Sequence, residues 1–310
     1  MLSNDRYAKA AMCLRHQLEL VNSSCPMILV YNDKAPLPLK QLEDTFGRQH
    51  LLPLSHLVDR YHLYDSEHTK HLKKANSSLS GRRLFEGSAG VANTHQKLWL
   101  WALPIPRAVF LDIDMLVLRN IDSLFAVSLP KSTIPGIATT TCKSKYGSRF
   151  FNSGLVVFEP SLLALRSLLK AERWVNEPWH GHIAHDGERW VQICGPMHDP
   201  QAAARLFPNS SNPLRSCREK YGPGHTPSLM PKACESKYTD QSVFNFVFSR
   251  LRTPIPHVFN DYNYFDLNQS RVVHFVGEPK PWNKDKGRSQ VGSRHEASQL
   301  WRQRCAAALE

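Results

Sequence analysis

Ala108-Val109-Phe110-Leu111-Asp112-Ile113-Asp114-Met115-Leu116-Val117-Leu118 is an apolar run interrupted by two carboxylates, and it is the most informative segment about the fold of this chain. A continuous apolar run that ends in carboxylates is typical of a strand covered on both faces in a parallel α/β sheet. Ligands of such sheets bind at the carboxyl ends of the strands. The sequence therefore predicts that Asp112 and Asp114 lie at a binding site.

Asp112 and Asp114 are separated by one residue, so their side chains point to the same side of an extended chain while Ile113 points to the other. Two such carboxylates can share a hard divalent cation, Mg²⁺ or Mn²⁺, with coordination positions left for substrate phosphates. The alternative is structural: the pair caps the turn towards residues 120–122, because Asp is a frequent turn residue. For an isolated Asp-x-Asp motif, the turn is the favoured explanation over the metal site.

The composition of the 310 residues is that of a globular protein, with 42% hydrophobic and 21% charged residues. The formal net charge of +12 indicates an anionic partner, and its sign leaves nucleic acid, a membrane surface and a phosphorylated substrate open. No window contains the roughly 18 apolar residues of a membrane span, and no secretory signal is seen. The chain as written is expected to be cytoplasmic, whereas an anchor ahead of Met1 would place it in the Golgi lumen.

The seven cysteines show no C-x-x-C spacing, which argues against a zinc knuckle. Three of them cluster in one segment, with their disulfide state open: Cys194, Cys217 and Cys234. Four Asn-x-Ser sequons would permit glycosylation in a secretory compartment: Asn22, Asn76, Asn209 and Asn268. These features leave the compartment undecided.

Alternating helix and strand patterns predict an α/β protein with a mixed, mainly parallel sheet and helices on both faces. The expected helices cover residues 7–21, 37–46, 93–103, 160–174 and 239–250, and the expected strands cover 26–31, 50–54, 108–111, 136–139, 150–158 and 271–276. A βαβ unit would also require a strand ahead of the first helix, where only Met1-Leu2 are available. We expect one domain over residues 1–283, with irregular insertions at about 59–90 and 180–237, followed by a polar basic tail at 284–310.

A second stretch ends a predicted strand with an imidazole: Arg271-Val272-Val273-His274-Phe275-Val276-Gly277-Glu278-Pro279-Lys280-Pro281-Trp282. His274 would complete the coordination of a cation, while the Gly277 backbone and Lys280 would reach a diphosphate. Taken singly, His274 is better explained as a core histidine and Lys280 as a surface residue, so their joint spacing carries the interpretation. Trp282 is expected to pack behind this loop, and Asp122 to cap the following turn.

Several separated motifs, in this order, resemble glycosyltransferase family 8 and its glycogenin-like branch most closely. They are residues 109–118 with Asn120-Ile121-Asp122-Ser123-Leu124-Phe125, Phe151-Asn152-Ser153-Gly154, Asp240-Gln241 with Asn245, and His274-Phe275-x-Gly277-x-x-Lys280-Pro281-Trp282. The opening Ser3-Asn4-Asp5-Arg6-Tyr7-Ala8-Lys9, and Lys97-Leu98 with Trp101, fit the same branch.

The resemblance implies a GT-A (Rossmann-like) fold that binds Mn²⁺ and a UDP-sugar, with UDP-glucose favoured. It implies that Asp112, Asp114 and His274 hold the metal, which neutralises the UDP leaving group. The further donor-binding residues that it implies are Asn4 and Tyr7 at the uridine, Gly277 and Lys280 at the diphosphate, Lys97, Asn152 and Ser153 at the sugar, and Ile113. Asp240 and Gln241 would lie beside the anomeric carbon and, with Lys97, would be catalytic.

Members of this family retain the anomeric configuration, so the resemblance implies a retaining hexosyltransferase with a glycan or other hydroxyl acceptor. A double displacement by two carboxylates is one route to retention. Asp240 and Gln241 are not an obvious nucleophile and acid pair, so we favour same-face attack, in which the departing phosphate takes the acceptor proton.

Three departures from the family pattern concern the donor and the acceptor. Residues 139–149 contain no carboxylate, which leaves the donor sugar open. Lys237-Tyr238-Thr239 replaces an acid that usually precedes Asp-Gln, which leaves the acceptor geometry open. Tyr262 and Tyr264 do not form a self-glucosylation motif, so autoglycosylation is not predicted.

Two other classes of function compete with the transferase. A catalytically silent protein that binds a sugar nucleotide or a glycan would explain the absent acids, and a metal-dependent phosphohydrolase would need a second ligand cluster that the sequence lacks. Nucleic-acid binding rests on charge alone and is not expected. The oligomeric state is open, a homodimer included.

Overall fold

The computed structural model describes residues 5–68, 95–141, 151–176, 183–185, 190–192, 211, 240–248, 250–263, 265–277, 279–283 and 292–309. The α-helices are α1 Asp5–Leu20, α2 Leu39–Phe46, α3 Leu54–His68, α4 Leu162–Asn176, α5 Asp240–Phe248 and α6 Ser293–Leu309. The strands are β1 Leu29–Tyr31, β2 Leu51–Pro53, β3 Ala108–Leu111, β4 Met115–Val117, β5 Ile137–Thr141, β6 Phe151–Phe158, β7 Ile183–His185, β8 Trp190–Gln192, β9 Arg252–Ile255 and β10 Val272–His274. Longer 3₁₀ helices cover Gln96–Ala102 and Asp122–Ala126.

The predicted mixed α/β architecture is confirmed. β1 pairs with β2, and β5 with β9, in parallel; β3 with β6, β5 with β6, β4 with β10, and β7 with β8 are antiparallel. β9, which the sequence pattern did not predict, closes one side of the four-stranded sheet β3-β6-β5-β9. Its run contains Pro254, a residue that sheets accept at their edges.

The chain crosses from one sheet to another at residues 112–114. β3 pairs with β6, whereas β4 pairs with β10, where His274 lies opposite Met115. The Asp112 N–H donates to the Gly154 carbonyl at 2.7 Å, and the Phe275 N–H donates to the Asp114 carbonyl at 2.9 Å. This crossing therefore places the ends of β3 and β10 and the middle of β6 side by side.

Trp101 is the centre of the core that supports the four-stranded sheet. Its ring lies 4.4 Å from that of Phe158 in β6, and 5.0 and 5.5 Å from those of Phe244 and Phe248 in α5. All four side chains are buried. Removing an aromatic side chain from such a position costs about 3–5 kcal/mol, so this cluster fixes α5 against the strands that carry the site.

The expected irregular insertion at residues 59–90 is helical over its first part. α3 continues to His68 because Leu54, Leu57 and Tyr61, at helical spacing, are buried against the core. Residues 69–90 lie outside the described residues. Within the second expected insertion, 180–237, β7 and β8 form a hairpin, while Cys194, Cys217 and Cys234 lie outside the described residues.

Residues 293–309, expected to belong to a polar basic tail, form the helix α6. Ala297, Trp301 and Cys305, each four residues from the next, are buried on one face that packs against α1. Cys305 forms a disulfide with Cys13 of α1 across 292 residues of sequence. Three apolar residues among charged neighbours give too weak a periodicity to predict the helix from sequence. Its buried face is recognised only from the packing against α1.

β3 differs from the fully covered central strand that its apolar run predicts. All four of its residues are only partly buried, whereas all eight residues of β6 are buried. β3 is an edge strand among the described residues, and an apolar cavity of about 300 Å³ separates it from β1. Leu14 and Leu18 of α1 line this cavity.

The sequence predicts that Asp122 caps the turn that follows it. In the structure its side chain does not do so. Its carboxylate accepts hydrogen bonds from Ser23 Oγ at 2.6 Å, from Ser24 N at 2.7 Å and from Ser24 Oγ at 2.8 Å. This carboxylate therefore ties the turn to the loop between α1 and β1.

Within the described ranges, no helix is long and apolar enough to cross a membrane.

Replacing Cys305 by Ser should lower the free energy of unfolding by about 2–4 kcal/mol, because the disulfide restricts the unfolded chain. Denaturant unfolding followed by circular dichroism measures the change. Cys25→Ser is the matched control, since Cys25 is a free, partly buried thiol. An unfolding curve of Cys305→Ser that superposes on that of Cys25→Ser would show that the bridge does not stabilise the fold.

Candidate metal centre

Asp112, Asp114 and His274 meet where the two sheets adjoin. His274 Nε2 lies 3.4 Å from Asp114 Oδ1 and 3.7 Å from Asp112 Oδ2, and one ligand atom of each residue lies within 4.8 Å of the other two. Two carboxylates and an imidazole form a donor set suited to Mn²⁺. The expected convergence of these side chains agrees with this geometry, and their role as ligands stays a prediction.

Asn260 orients the imidazole of His274. His274 Nδ1 lies 3.0 Å from Asn260 Oδ1, while Asn260 Nδ2 donates to Thr140 Oγ1 at 3.1 Å and to Asn152 Oδ1 at 3.0 Å. Because the amide nitrogen has these two acceptors, the amide oxygen faces the ring and Nδ1 carries the proton. The lone pair of Nε2 is then directed at the two aspartates, the usual arrangement for a histidine that binds a metal. The sequence analysis missed Asn260, since nothing in its neighbours marks it.

Gly154 leaves room for the imidazole. A Cβ atom at this position would lie 2.2 Å from His274 Cε1 and 2.5 Å from His274 Nδ1. The Gly154 N–H also donates to Asn152 Oδ1 at 2.9 Å. The Asn-Ser-Gly motif thus contributes packing space as well as polar groups.

Lys97 connects the predicted metal-binding aspartates to the predicted catalytic residues. Its Nζ lies 2.8 Å from Asp112 Oδ1 and 3.2 Å from Asp240 Oδ2, and Ser153 Oγ donates to Asp240 Oδ2 at 2.7 Å. Burial by itself would lower the pKa of Lys97, but the carboxylates of Asp112 and Asp240 raise it above its ordinary value. Lys97 is therefore a permanent positive charge at neutral pH.

Gln241 and Asn245 join the start of α5 to the start of β6. Gln241 Oε1 accepts hydrogen bonds from Asn152 Nδ2 at 3.1 Å and from Ser153 N at 3.2 Å. Asn245 takes the place of a strand partner, since its Oδ1 accepts from Phe151 N at 3.0 Å and its Nδ2 donates to Phe151 O at 2.9 Å. All these polar groups are buried, so their pairing fixes α5 relative to β6.

Lys280 lies on the opposite side of the aspartates from Lys97. Its Nζ donates to Asp114 Oδ2 and, at 2.9 Å, to the Phe275 carbonyl. Gly277 lies between Phe275 and Lys280 in sequence. It has a φ of +74° and open space where a side chain would be. The loop therefore carries an ammonium group and an accessible backbone beside Asp114.

The two aspartates have opposite pKa shifts. Burial raises the pKa of both carboxyls, and in Asp112 this prevails, with the charge of Asp114 adding to it. In Asp114 the interactions with His274 and Lys280 prevail and hold the pKa well below its ordinary value. The site is thus a concentrated set of paired charges in a half-buried location.

Of the other predicted donor-binding residues, Tyr7 and Ile113 pack against apolar side chains and Asn4 is not described. The Tyr7 ring meets Trp282 edge to face at 5.4 Å between centroids, and Trp282 also lies 5.6 Å from Trp301. The expected packing role of Trp282 is confirmed. The Ile113 side chain is buried in the apolar cluster that includes α1, and Asn4 lies outside the described residues, as do residues 142–150 and 237–239.

Comparison with known proteins supports the resemblance seen in the sequence. No protein-family model matches the chain. Human glycogenin-1 is 27% identical over 299 residues, which cover 91% of this chain and 61% of that protein. Glycogenin-1 of Caenorhabditis elegans is 28% identical over 171 residues, which cover 54% of this chain and 33% of that protein. These relatives support a glycogenin-like assignment within glycosyltransferase family 8.

The solved structures agree on the fold. The galactosyltransferase LgtC, in complex with donor and acceptor sugar analogues, superposes with a TM-score of 0.53 at 12% identity over 99% of this chain and 94% of that chain. The glycosyltransferase GlyE of Streptococcus pneumoniae gives a TM-score of 0.52 at 12% identity over 99% of this chain and 61% of that chain. The fold is that of the GT-A glycosyltransferases. The matches to glycogenins span between 33 and 64% of those proteins.

Replacing Gly154 by Ala should weaken Mn²⁺ binding by at least about tenfold, the usual cost of displacing a metal ligand through its surroundings. The added methyl group forces the His274 ring away from the aspartates. Electron paramagnetic resonance of free Mn²⁺ measures the affinity. Ser153→Ala, one residue earlier in β6, is the control that leaves the imidazole undisturbed; equal affinities of the two variants would mean that His274 is not a ligand.

Proposed function

We propose that this chain is a retaining glycosyltransferase that moves a hexosyl group, with glucose favoured, from a UDP-sugar to a glycan or other hydroxyl acceptor and depends on Mn²⁺. The observation that carries the proposal is the convergence of Asp112, Asp114 and His274 between two lysine ammonium groups. Such a site has ligands for a cation and positive charge for a diphosphate. The glycogenin relatives support the same class of reaction.

The residues fit a divalent cation. His274 has its tautomer set by Asn260, and Asp112 and Asp114 offer hard oxygen ligands. When bound, the cation would act as a Lewis acid on the diphosphate oxygens of the donor. Lys280 would exchange part of its contact with Asp114 for the diphosphate, and the Gly277 N–H would add a donor where negative charge develops on departing UDP.

Asp240 is better suited to binding and orienting the sugar than to attacking it. Its Oδ2 is engaged by Lys97 at 3.2 Å and by Ser153 Oγ at 2.7 Å, and such hydrogen bonds reduce the nucleophilicity of a carboxylate. Gln241 is tied to Asn152 and Ser153. These contacts favour same-face attack, in which the acceptor proton passes to the departing phosphate, over a covalent intermediate on Asp240.

The second candidate is a catalytically silent protein that binds a sugar nucleotide or a glycan. One observation favours it: Asp112 and Asp114 are each paired with a lysine, so the charges of the site are largely balanced without a cation. Binding of UDP-glucose that neither requires Mn²⁺ nor leads to UDP release would identify this function.

His274→Ala should abolish the Mn²⁺-dependent release of UDP, because it removes the nitrogen ligand of the site. UDP release from UDP-glucose, UDP-galactose and UDP-N-acetylglucosamine, with and without Mn²⁺, is the measurement. His16→Ala, on the partly exposed surface of α1, is the control. No metal-dependent release or binding by the unaltered chain with any of these donors would refute the transferase proposal.

Lys97→Met should lower kcat by about 10²–10³, the typical effect of removing an electrostatic group from an active site. Mn²⁺ affinity should be retained or increased, since Asp112 loses a competing partner. Steady-state kinetics and the Mn²⁺ titration separate the two effects, and Lys131→Met, at an exposed position, is the control. A kcat equal to that of the control would exclude Lys97 from catalysis.

A further inference from the structure

Helix α6 contacts the Lys280 loop, residues 275–283, from outside the site. Arg294 Nη2 donates to the Val276 carbonyl at 3.2 Å and to the Pro279 carbonyl at 3.1 Å. Arg302 Nη1 donates to the Pro281 carbonyl at 3.2 Å. The helix thus binds carbonyl groups on both sides of Gly277 and directly after Lys280.

Among the described residues of the Lys280 loop that follow Phe275, the backbone hydrogen bonds are short-range, from Val276 N to His274 O of β10 at 2.9 Å and from Asn283 N to Lys280 O at 3.0 Å. Among the described residues, no strand pairs with it, and Gly277 adopts a φ of +74°. A loop of this kind has several accessible conformations unless neighbouring groups restrict it.

We propose that Arg294 is a positioning residue for the Lys280 loop and thereby sets the affinity of the site for a nucleoside diphosphate. The inference rests on the proposed function for the nature of the ligand. The guanidinium holds the carbonyls of Val276 and Pro279 at fixed separation. Lys280 Nζ is then held beside Asp114 and the Gly277 backbone is held in one conformation, so the free energy cost of ordering them is met before the diphosphate arrives.

An arginine suits this position because the two N–H groups of Nη2 have directions fixed by the plane of the guanidinium, so one nitrogen reaches both carbonyls. The guanidinium carbon lies 5.2 Å from the ring centre of Phe265 and 6.0 Å from that of Phe275, so the group lies over two neighbouring aromatic rings while donating to the two carbonyls. A lysine at this position would keep the charge but lose the planar fork. Arg294→Lys should therefore restore binding only in part.

The helix is anchored independently of Arg294. Arg304 Nη1 donates to the Val117 carbonyl of β4 at 2.6 Å, Trp301 packs on Trp282, and Cys305 is bridged to Cys13. Arg294→Ala should therefore leave α6 in place and release only the loop. Arg304→Ala is the matched control, because it removes an arginine of the same helix that contacts a strand and not the loop.

The experiment compares Arg294→Ala, Arg294→Lys and Arg304→Ala with the unaltered full chain. Calorimetry with UDP at saturating Mn²⁺ gives the nucleotide affinity, and a Mn²⁺ titration gives the metal affinity. Hydrogen exchange of residues 276–283 without any ligand reports the order of the loop. For Arg294→Ala we expect UDP affinity to fall about tenfold, as for second-shell changes elsewhere, loop exchange to rise, and Mn²⁺ affinity to change by no more than about twofold.

Each other result counts against either the inference or the proposed function, and the two cases are distinguishable. UDP affinity and loop exchange in Arg294→Ala equal to those of the unaltered chain would overturn the inference and leave the proposed function intact. Equal losses in Arg304→Ala would also overturn it, because the effect would then belong to the docking of α6. If the unaltered chain binds no UDP, the proposed function fails, and the exchange measurement alone decides whether Arg294 orders the loop.

Discussion

Two carboxylates lie side by side in a half-buried site, and the surrounding elements are arranged to compensate their charge. Asp112 and Asp114 lie where the chain leaves one sheet and enters another, so their backbone is held by Gly154 on one side and by Phe275 on the other. Their mutual repulsion and burial must be offset. Lys97 and Lys280 supply that compensation from opposite sides.

A continuous buried hydrogen-bond network joins the predicted metal ligands to the predicted sugar site. It passes from His274 through Asn260, Asn152 and Gln241, and Ser153 extends it to Asp240. Because unpaired polar groups are costly in a buried location, each member restricts the orientation of the next. Motifs that are far apart in sequence therefore act as parts of one arrangement.

The C-terminal helix completes this arrangement from behind. α6 carries the three arginines that bind carbonyls of the Lys280 loop and of β4, and its buried tryptophan and cysteine attach it to Trp282 and to α1. The first and last helices are thus joined directly. β3 is the opposite case. Its residues are only partly buried, and among the described residues an apolar cavity, with no hydrogen bonds across it, lies between β3 and β1.

The α/β class and most helices and strands follow from the sequence, because apolar periodicity is a local property. The pairs Asp112 with Asp114 and His274 with Lys280 are also marked by local spacing, but these two motifs are far apart in sequence and only their resemblance to a known family predicted that they converge. How the side chains are held follows from the tertiary structure. Asn260 orients His274 from outside the strands, and α6 was expected to be a tail because its buried apolar residues, Ala297, Trp301 and Cys305, stand among charged neighbours. Such contacts depend on residues that are distant in sequence, and no local pattern of residue types specifies them.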